Sequence, residues 1–209
     1  MRKDTQLTRQ KLVDAAEKLF AEKGLESTSL FDVLKVSGVK NRSALQYHFK
    51  DKAGLINAVL NKHSGIIADY RSQMIDQLQQ EQQWTLHQVV NVMVAPLAEK
   101  LCPDAGGREF LKIHSQLMVS EQYSQLRLQR PELQSEAKRI QSLLSPFVKD
   151  ISEQSIHARV ALIDCLLIHG LARYFYMEEE VSRRFFHQTL VQSIVDILSQ
   201  QEPEQAPQT

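Results

Sequence analysis

The sequence predicts an all-α protein with a helix-turn-helix near the N-terminus and a larger helical region behind it. Seven Gly and six Pro in 209 residues are few for a many-stranded sheet. Apolar residues recur at spacings of three and four far more often than at two, which favours helices. The segment Ser29–Lys62 divides into two short helices around Gly38 with a third helix after them, the layout of a helix-turn-helix.

Composition is that of a soluble globular protein, with 43% hydrophobic and 24% charged residues. The net charge of zero hides an asymmetry. Residues 1–63 contain twelve Lys and Arg against seven Asp and Glu, and residues 64–209 contain thirteen against eighteen. The half that carries the helix-turn-helix is therefore the positive one, as attraction to DNA phosphates requires.

Cysteine usage and hydropathy predict a cytoplasmic protein. Cys102 and Cys165 lie among apolar residues without a CxxC motif, so we expect two buried thiols in a reducing compartment. The polar start of the sequence does not resemble a signal peptide. The most apolar run, 160–172, is shorter than a membrane span and contains Asp164 and His169, so we expect no membrane partner.

The first two helices have recognisable ends. Helix 1 is predicted over about residues 8–23, with Gly24 directly after it as a C-terminal glycine. Ser29 precedes helix 2 with Asp32 three residues later, which resembles a capping box. Gly38 is predicted to end helix 2 in a backbone conformation that glycine adopts cheaply.

Helix 3 is predicted to run from Asn41 or Arg42 to His48. Leu45 and Phe49 are four residues apart and share the face directed at the core. Folding stability does not account for a short helix that keeps several polar side chains on its outer face. Binding of that face in a groove of DNA does account for it. The residues predicted to point away from the core or to flank it are Ser43, Ala44, Tyr47, Gln46 and His48.

A long helix 4, residues 52–80 with Asp51 as its cap, is predicted to join two domains without a flexible linker. Residues 1–52 would form the helix-turn-helix domain and residues 53–201 a regulatory and dimerisation domain. Loops are expected near Pro103 and at Arg130-Pro131, and a disordered tail over 202–209. The remaining helices are predicted at about 84–101, 106–122, 132–153, 156–177 and 182–200.

The helix-turn-helix segment and helix 1, about residues 8–62, resemble the TetR family of transcriptional regulators. The family pattern is a Gly after helix 1, a Thr-Ser pair, an apolar helix 2, a Gly-Val turn, a recognition helix ending in Tyr-His-Phe, and a Lys that opens helix 4. The matching residues are Gly24, Thr28-Ser29, Val33, Gly38-Val39, Tyr47-His48-Phe49 and Lys52.

The sequence departs from the family pattern at the helix expected to recognise DNA. The stretch between Val39 and Tyr47 is one residue longer than in the commonest pattern. Gln46 stands where an aromatic residue is frequent, and Phe31 where a polar residue is usual. The DNA sequence that better-known relatives bind is therefore not transferable to this chain.

The resemblance implies contacts to double-stranded DNA. Phosphate contacts, which fix register without selecting sequence, are expected from hydroxyl, imidazole and ammonium groups. Base contacts are expected from Arg, which pairs well with guanine, and from Gln, which pairs with adenine. The phosphate candidates are Thr28, Ser29, Tyr47, His48 and Lys52; the base candidates are Arg42, Ser43 and Gln46, with Asn41 beside them. A helix cap is an equally good explanation of Ser29.

The family also implies a homodimer formed through the last two long helices. The predicted helix 156–177 is apolar around much of its surface and needs neighbours on more than one face. Together with helix 182–200 it could form a four-helix interface about a two-fold axis. A palindromic DNA site requires such a dimer. The alternative is a monomeric core.

A small apolar or amphipathic ligand is the further expectation from the family. Candidates for its pocket combine apolar bulk with a few polar groups. Each of them alone is better explained as core, and His114 and His169 as buried histidines with hydrogen-bond partners. The candidates are Met93, Leu97, Phe110, His114, Leu117, Met118, Phe147, Cys165 and His169.

Other functions find less support in the sequence. His114, His157, His169 and His187 lack the spacing of a metal site, so neither metal nor cofactor is expected. No catalytic motif such as HExxH or a P-loop is present, which argues against an enzyme. The favoured function is a ligand-responsive repressor acting as a homodimer. The alternative is a DNA-bound interaction protein without a small-molecule effector.

Overall fold

The computed structural model describes residues 3–81, 83–102, 106–128 and 130–201, and its described residues are helical without any strand, as predicted. The predicted tail over 202–209 lies outside this part of the chain. The helices are α1 Lys3–Lys23, α2 Leu30–Ser37, α3 Ser43–Phe49, α4 Lys52–Gln80, α5 Leu86–Ala98, α6 Gly107–Val119, α7 Ser124–Leu128, α8 Pro131–Val148, α9 Glu153–Tyr174 and α10 Arg183–Ser199, with a 3-10 turn at Glu99–Leu101 after α5.

The ends of α2 follow from local chemistry. The Ser29 hydroxyl accepts a hydrogen bond from the Asp32 amide (3.1 Å), and the Asp32 carboxylate accepts one from the Ser29 amide (3.1 Å). This reciprocal pair confirms the predicted capping box. Gly38 closes α2 with φ 68°, in the left-handed region where glycine carries no steric penalty.

Helix α4 connects the two parts of the fold and has the predicted bounds. Its first turn is capped by Asp51, whose carboxylate accepts from the Gly54 amide at 2.8 Å. Twenty-nine residues run without a break from the three-helix unit α1–α3 into the C-terminal helices. A continuous helix transmits a rotation or a shift at one end to the other end, because it has no flexible joint.

The C-terminal helices differ from the predicted bounds at several ends, and the short helix α7 was not predicted; two of the differences have a local cause. The segment predicted as one helix over 106–122 ends at Val119, because the Ser120 hydroxyl accepts from the Tyr123 amide (3.1 Å) and turns the chain before α7. Helix α8 ends at Val148, and α9 begins at Glu153 with Ser152 as its cap. Competition from side-chain hydrogen bonds explains both breaks.

Helix α9 contains the most apolar run, 160–172, and extends beyond both of its ends. By length and composition alone, the 22-residue helix Glu153–Tyr174 could cross a membrane, although the apolar run 160–172 within it is shorter than a span. Only 33% of its most apolar window is buried inside the chain. The helix nevertheless packs on α6 and α10, as a helix of a globular core does.

One hydrophobic core runs from the three-helix unit into the C-terminal helices. It includes Phe20 of α1, Leu55 of α4, Phe110 of α6 and Leu171 of α9, each at most 2% exposed. A smaller cluster, with Ile75 at its centre, lies toward the far end of α4, between α5 and α8. Because α1 packs directly on α6, the position of the three-helix unit depends on the C-terminal helices.

Candidate DNA-binding surface and regulatory contacts

Helix α3 is anchored by three apolar side chains. Leu45 and Phe49 are each 5% exposed and point into the core, as predicted. Ala44 is 7% exposed and lies with them, so the expectation that it points outward is wrong. Its small side chain fits where α3 approaches the other helices of the unit.

The start of α3 is fixed by Asn41. The Asn41 carboxamide oxygen accepts from the Ser43 amide (3.0 Å), and the Asn41 carbonyl accepts from the Ala44 amide (3.1 Å). The helix therefore begins at Ser43, two residues after the earliest predicted start. It ends at Phe49, and the next residue, Lys50, adopts φ 66° although it is not a glycine.

The outer face of α3 presents polar groups to solvent. Tyr47 is 77% exposed, and Ser43 and Gln46 are exposed beside it. The guanidinium carbon of Arg42 lies 5.7 Å from the centre of the Phe31 ring, an exposed aromatic of α2. This stacking holds Arg42 at the N-terminal end of α3. Phe31 was noted in the sequence only as a departure from the family pattern.

Thr28 lies inside the unit, not on its surface. Its side chain is 1% exposed, and its hydroxyl hydrogen-bonds the carbonyls of Leu19 (3.2 Å) and Gly24 (2.8 Å). This geometry does not support the predicted phosphate contact, because the hydroxyl is already used to join α1 to α2. Ser29 is exposed and serves as the cap, and its phosphate contact stays a prediction.

Lys52 and His48 are both partly sheltered. The Lys52 ammonium donates to the Glu26 carbonyl (3.1 Å) and lies 5.7 Å from the Tyr123 ring centre. Burial lowers the pKa of Lys52, and Glu26 opposes that shift. Burial and the nearby charge of Arg9 lower the pKa of His48. A lysine ammonium has three N–H donors, so the bond to the Glu26 carbonyl is compatible with the predicted phosphate contact of Lys52, which stays a prediction. His48 lies on the surface groove described next.

A groove between α1 and α3 adds residues that the sequence did not single out. Its walls include Thr5, Thr8 and Lys11 of α1, opposite Asn41 and Tyr47. Helix α1 lacked any motif to suggest that its first turns lie beside α3. Lys11 and Thr5 extend the polar surface, and both point to the same side as Tyr47 because they line the same groove.

Two of the predicted pocket residues lie at the surface. Phe147 is 37% exposed, and Cys165 is exposed, so neither lies in a buried pocket and the expectation of a buried Cys165 thiol is wrong. Cys165 and His169 share a surface face of α9. The partly buried ones are Met93, Met118 and His169; the buried ones are Leu97, Phe110, His114 and Leu117.

A buried polar network joins α1 to the C-terminal helices. Glu17 of α1 accepts from His63 Nε2 of α4 (2.5 Å) and from the Lys62 ammonium (2.6 Å). Lys100 donates to His63 Nδ1 (3.3 Å), so His63 carries its proton on Nε2 in this arrangement. Burial raises the pKa of Glu17, but the bonds from His63 and Lys62 outweigh it and hold the pKa below its ordinary value.

Gln116 of α6 forms a second junction. Its carboxamide oxygen accepts from the Leu25 amide (2.7 Å), and its nitrogen donates to the Phe20 carbonyl (3.0 Å). One side chain of α6 thus holds both sides of the turn that ends α1. Any displacement of α6 moves the bonded turn with it.

Together, α2, the Gly38 turn and the outward polar face of α3 define a helix-turn-helix protein with a larger helical C-terminal part. Residues 12–59 match the family model of bacterial regulatory proteins, tetR family. These residues therefore form a helix-turn-helix unit of the TetR type.

Known transcriptional regulators resemble part of the chain in sequence. It is 41% identical over 58 residues to the HTH-type transcriptional regulator AcrR of Shigella flexneri and 37% identical over 60 residues to TtgR of Pseudomonas putida. These matches cover 28% and 29% of this chain but only 26% and 28% of the relatives.

Solved structures match along almost the whole chain. The fatty acid degradation regulator FadR of Bacillus halodurans has a TM-score of 0.58 at 16% identity, covering 90% of this chain and 94% of its own. A protein of Mesorhizobium loti assigned to the TetR family has a TM-score of 0.54 at 14% identity, covering 95% and 98%. At these identities the likeness establishes the fold of the C-terminal part.

Proposed function

We propose that this protein is a transcriptional repressor that binds a palindromic DNA site as a homodimer and releases it when a small molecule binds the C-terminal helices. Residues 1–52 would bind DNA, and residues 53–201 would dimerise and bind the ligand. The single observation that carries the proposal is the polar outer face of α3. Three buried residues fix that helix while Gln46 and Tyr47 stay exposed.

The proposed contacts divide into two groups. Tyr47, Ser29 and His48 would bind phosphates and set the register of the helix in the major groove. Arg42, Ser43 and Gln46 would contact base edges, and Asn41 would hold the start of α3. Lys11 is a further phosphate candidate, since it lines the groove beside Tyr47.

Binding to the DNA that flanks the protein's own gene tests the DNA part of the proposal. The logarithm of the affinity should fall linearly with the logarithm of the salt concentration, by about 0.9 for each phosphate neutralised. Unrelated DNA of equal length should bind more weakly at each salt concentration. Affinity that is independent of both salt and sequence would contradict DNA recognition by this protein.

An exposed apolar stripe on α9 supports the homodimer. Leu162, Cys165, Leu166 and His169 follow the spacing of one helix face, and Leu162 is 60% exposed. Exposed apolar surface of this kind marks protein interfaces. Two copies joined along this stripe, with α10 alongside, would form the four-helix interface predicted from the sequence.

Light scattering during size-exclusion chromatography tests that interface. Leu162→Glu should convert a dimer of twice 24.0 kDa into a monomer, because a buried unpaired charge opposes association. Val119→Glu is the matched control: Val119 is a 75% exposed apolar residue of another helix, α6, and is not part of the stripe. A monomeric wild-type protein, or a dimeric Leu162→Glu variant, would rule out this interface.

The direct junctions between α1 and the C-terminal helices support control by a ligand. The Glu17–His63 and Gln116–Leu25 bonds make the position of the three-helix unit depend on α4 and α6. A ligand that prefers one arrangement of those helices would change the distance between two DNA-binding units in a dimer. The alternative, an interaction protein without an effector, predicts no change in the melting temperature with any metabolite.

A further inference from the structure

An exposed aromatic ring lies where the first turn of α2 contacts the start of α3. The Phe31 ring is 60% exposed, and the guanidinium carbon of Arg42 lies 5.7 Å from its centre. Packing inside the chain does not account for this ring, because most of its surface stays in contact with solvent. The ring therefore has apolar surface to offer to a partner outside the chain.

The Arg42 guanidinium keeps its hydrogen-bond donors available. Among the residues that the structure describes, it has neither a hydrogen-bond acceptor nor a carboxylate partner. Asp32, next to Phe31 in the chain, is already engaged, because the Ser29 amide (3.1 Å) and hydroxyl (2.7 Å) both donate to its carboxylate. Stacking on Phe31 thus orients the plane of Arg42 while its N–H groups remain free to donate.

A second arginine–phenylalanine pair in the same unit has the opposite character. The guanidinium carbon of Arg9 in α1 lies 5.4 Å from the centre of the Phe49 ring. Phe49 is only 5% exposed and belongs to the hydrophobic core, so its ring is out of reach of DNA. The two pairs have similar spacing, and only the pair on Phe31 presents its ring to solvent.

The major groove of DNA offers a partner for each group of the exposed pair. Arginine donates two hydrogen bonds to guanine O6 and N7, and phenylalanine makes apolar contact with the C5-methyl group of thymine. Residues at the N-terminal end of a recognition helix lie close to the base edges, and Arg42 directly precedes α3. Because the guanidinium lies against the ring, the two bases must belong to neighbouring base pairs.

We propose that Phe31 and Arg42 together recognise a thymine next to a guanine. Arg42 donates to guanine O6 and N7, and the Phe31 ring packs on the methyl group of the adjacent thymine. The assignment rests on the proposed function, because it needs α3 in the major groove. It adds a residue of α2 to those that select sequence, and it places one thymine–guanine step in each half of a symmetric site.

Uracil substitution in DNA selected by the wild type tests the thymine contact. Each half of the selected site should contain the step, and uracil in place of its thymine removes only the methyl group. Uracil should weaken binding of the wild type about two- to fourfold, as expected for loss of one methyl contact. Phe31→Ala should bind thymine and uracil sites equally. Half-sites without the step, or an equal effect of uracil on both proteins, would overturn the proposal.

Replacement of the guanine by adenine tests the role of Arg42. The exchange should weaken binding of the wild type about five- to a hundredfold, and Arg42→Ala should lose most of this discrimination. Arg9→Ala is the matched control, because it removes the same charge from the pair on the buried Phe49 and should keep the guanine preference. Phe31 and Arg42 are exposed, so their variants should unfold at the wild-type midpoint. Guanine preference that persists in Arg42→Ala, or that Arg9→Ala also loses, would contradict the assignment.

The same experiments separate this assignment from the proposed function. If the wild type selects a symmetric site and Phe31→Ala has the same base preference at every position, DNA recognition stands and the role of Phe31 fails. If the wild type selects no site, the proposed function fails and the assignment fails with it.

Discussion

Glu17 of α1 and His63 of α4 form a buried hydrogen bond of 2.5 Å at the junction between the DNA-binding unit and the C-terminal helices. Both side chains are less than 10% exposed. Lys62 and Lys100 complete the network around them. The bond fixes the angle at which α1 meets α4, and so the position of α3 relative to the rest of the chain.

Glu17→Gln is expected to destabilise the fold by about 1.5–3 kcal/mol, the range for hydrogen bonds to a charged group. The amide cannot accept the bonds of both His63 and Lys62 with the strength of a carboxylate. Asp14→Asn is the matched control, because Asp14 pairs with Lys62 at the surface and is 49% exposed. Urea unfolding of both variants measures the difference. Equal losses would show that the buried network has no special role.

The same network predicts a dependence of stability on pH. The pKa of Glu17 is lowered in the folded state, so its contribution is present above its ordinary value near 4.5 and is lost as the pH falls below that value. The wild type should therefore lose stability more steeply than Glu17→Gln as the pH falls below about 4.5. Parallel curves for the two proteins in urea would contradict the assignment.

His114 predicts a different pH window. Its unfolded form takes up a proton near pH 6.5, whereas the folded form, with a pKa of about 3, does not. The unfolded state thus binds more protons below pH 6.5, and stability falls as the pH decreases toward 3. His114→Phe should flatten the melting-temperature curve between pH 6.5 and 4.5. A variant as pH-dependent as the wild type in that window would refute a neutral, buried His114.

Two glycines of α4 should respond oppositely to alanine. A Cβ at Gly54 would lie 1.9 Å from the Phe49 carbonyl oxygen, so Gly54→Ala must shift α3 or the turn before α4. We expect a loss of about 1–3 kcal/mol and weaker DNA binding. Gly65→Ala has open space and should gain about 0.5–1 kcal/mol. A stable Gly54→Ala variant with wild-type DNA affinity would contradict the close approach of α3 to α4.

The Arg42–Phe31 stacking predicts a role for an exposed aromatic residue. Phe31→Ala should free Arg42 and reduce affinity for the preferred DNA site about two- to fivefold, equivalent to about 0.5–1 kcal/mol. Val36→Ala, at another exposed apolar position of α2, should leave affinity unchanged. Fluorescence anisotropy with one labelled site measures both. An equal effect of the two substitutions would mean that the stacking does not position Arg42.

Features determined by neighbouring residues could be predicted from the sequence. The Ser29–Asp32 capping box, the Gly38 turn and the full extent of α4 from its Asp51 cap all depend on residues a few positions apart. The core face of α3 followed from the spacing of Leu45 and Phe49 in the same way. These local signals define the helix-turn-helix.

Features formed by distant residues could not be predicted. Glu17 and His63 are 46 positions apart, and nothing in their local patterns indicates that they pair. Thr28 looked like a surface hydroxyl because its acceptors, the carbonyls of Leu19 and Gly24, carry no side-chain signal. Cys165 looked buried because its neighbours are apolar, yet those neighbours include the exposed stripe of α9. Burial of a side chain depends on which helices pack together, and that packing cannot be read from a single sequence.

Selection of binding sites from random double-stranded DNA tests the central claim, that the outer face of α3 recognises DNA. The wild type should select a symmetric site. Gln46→Ala should change the preferred base at symmetric positions with a smaller effect elsewhere, because Gln46 is proposed to contact a base edge. Tyr47→Ala should weaken binding to all sequences equally, because Tyr47 is proposed to contact phosphate. If both variants keep the affinity and the preference of the wild type, α3 is not the helix that recognises DNA.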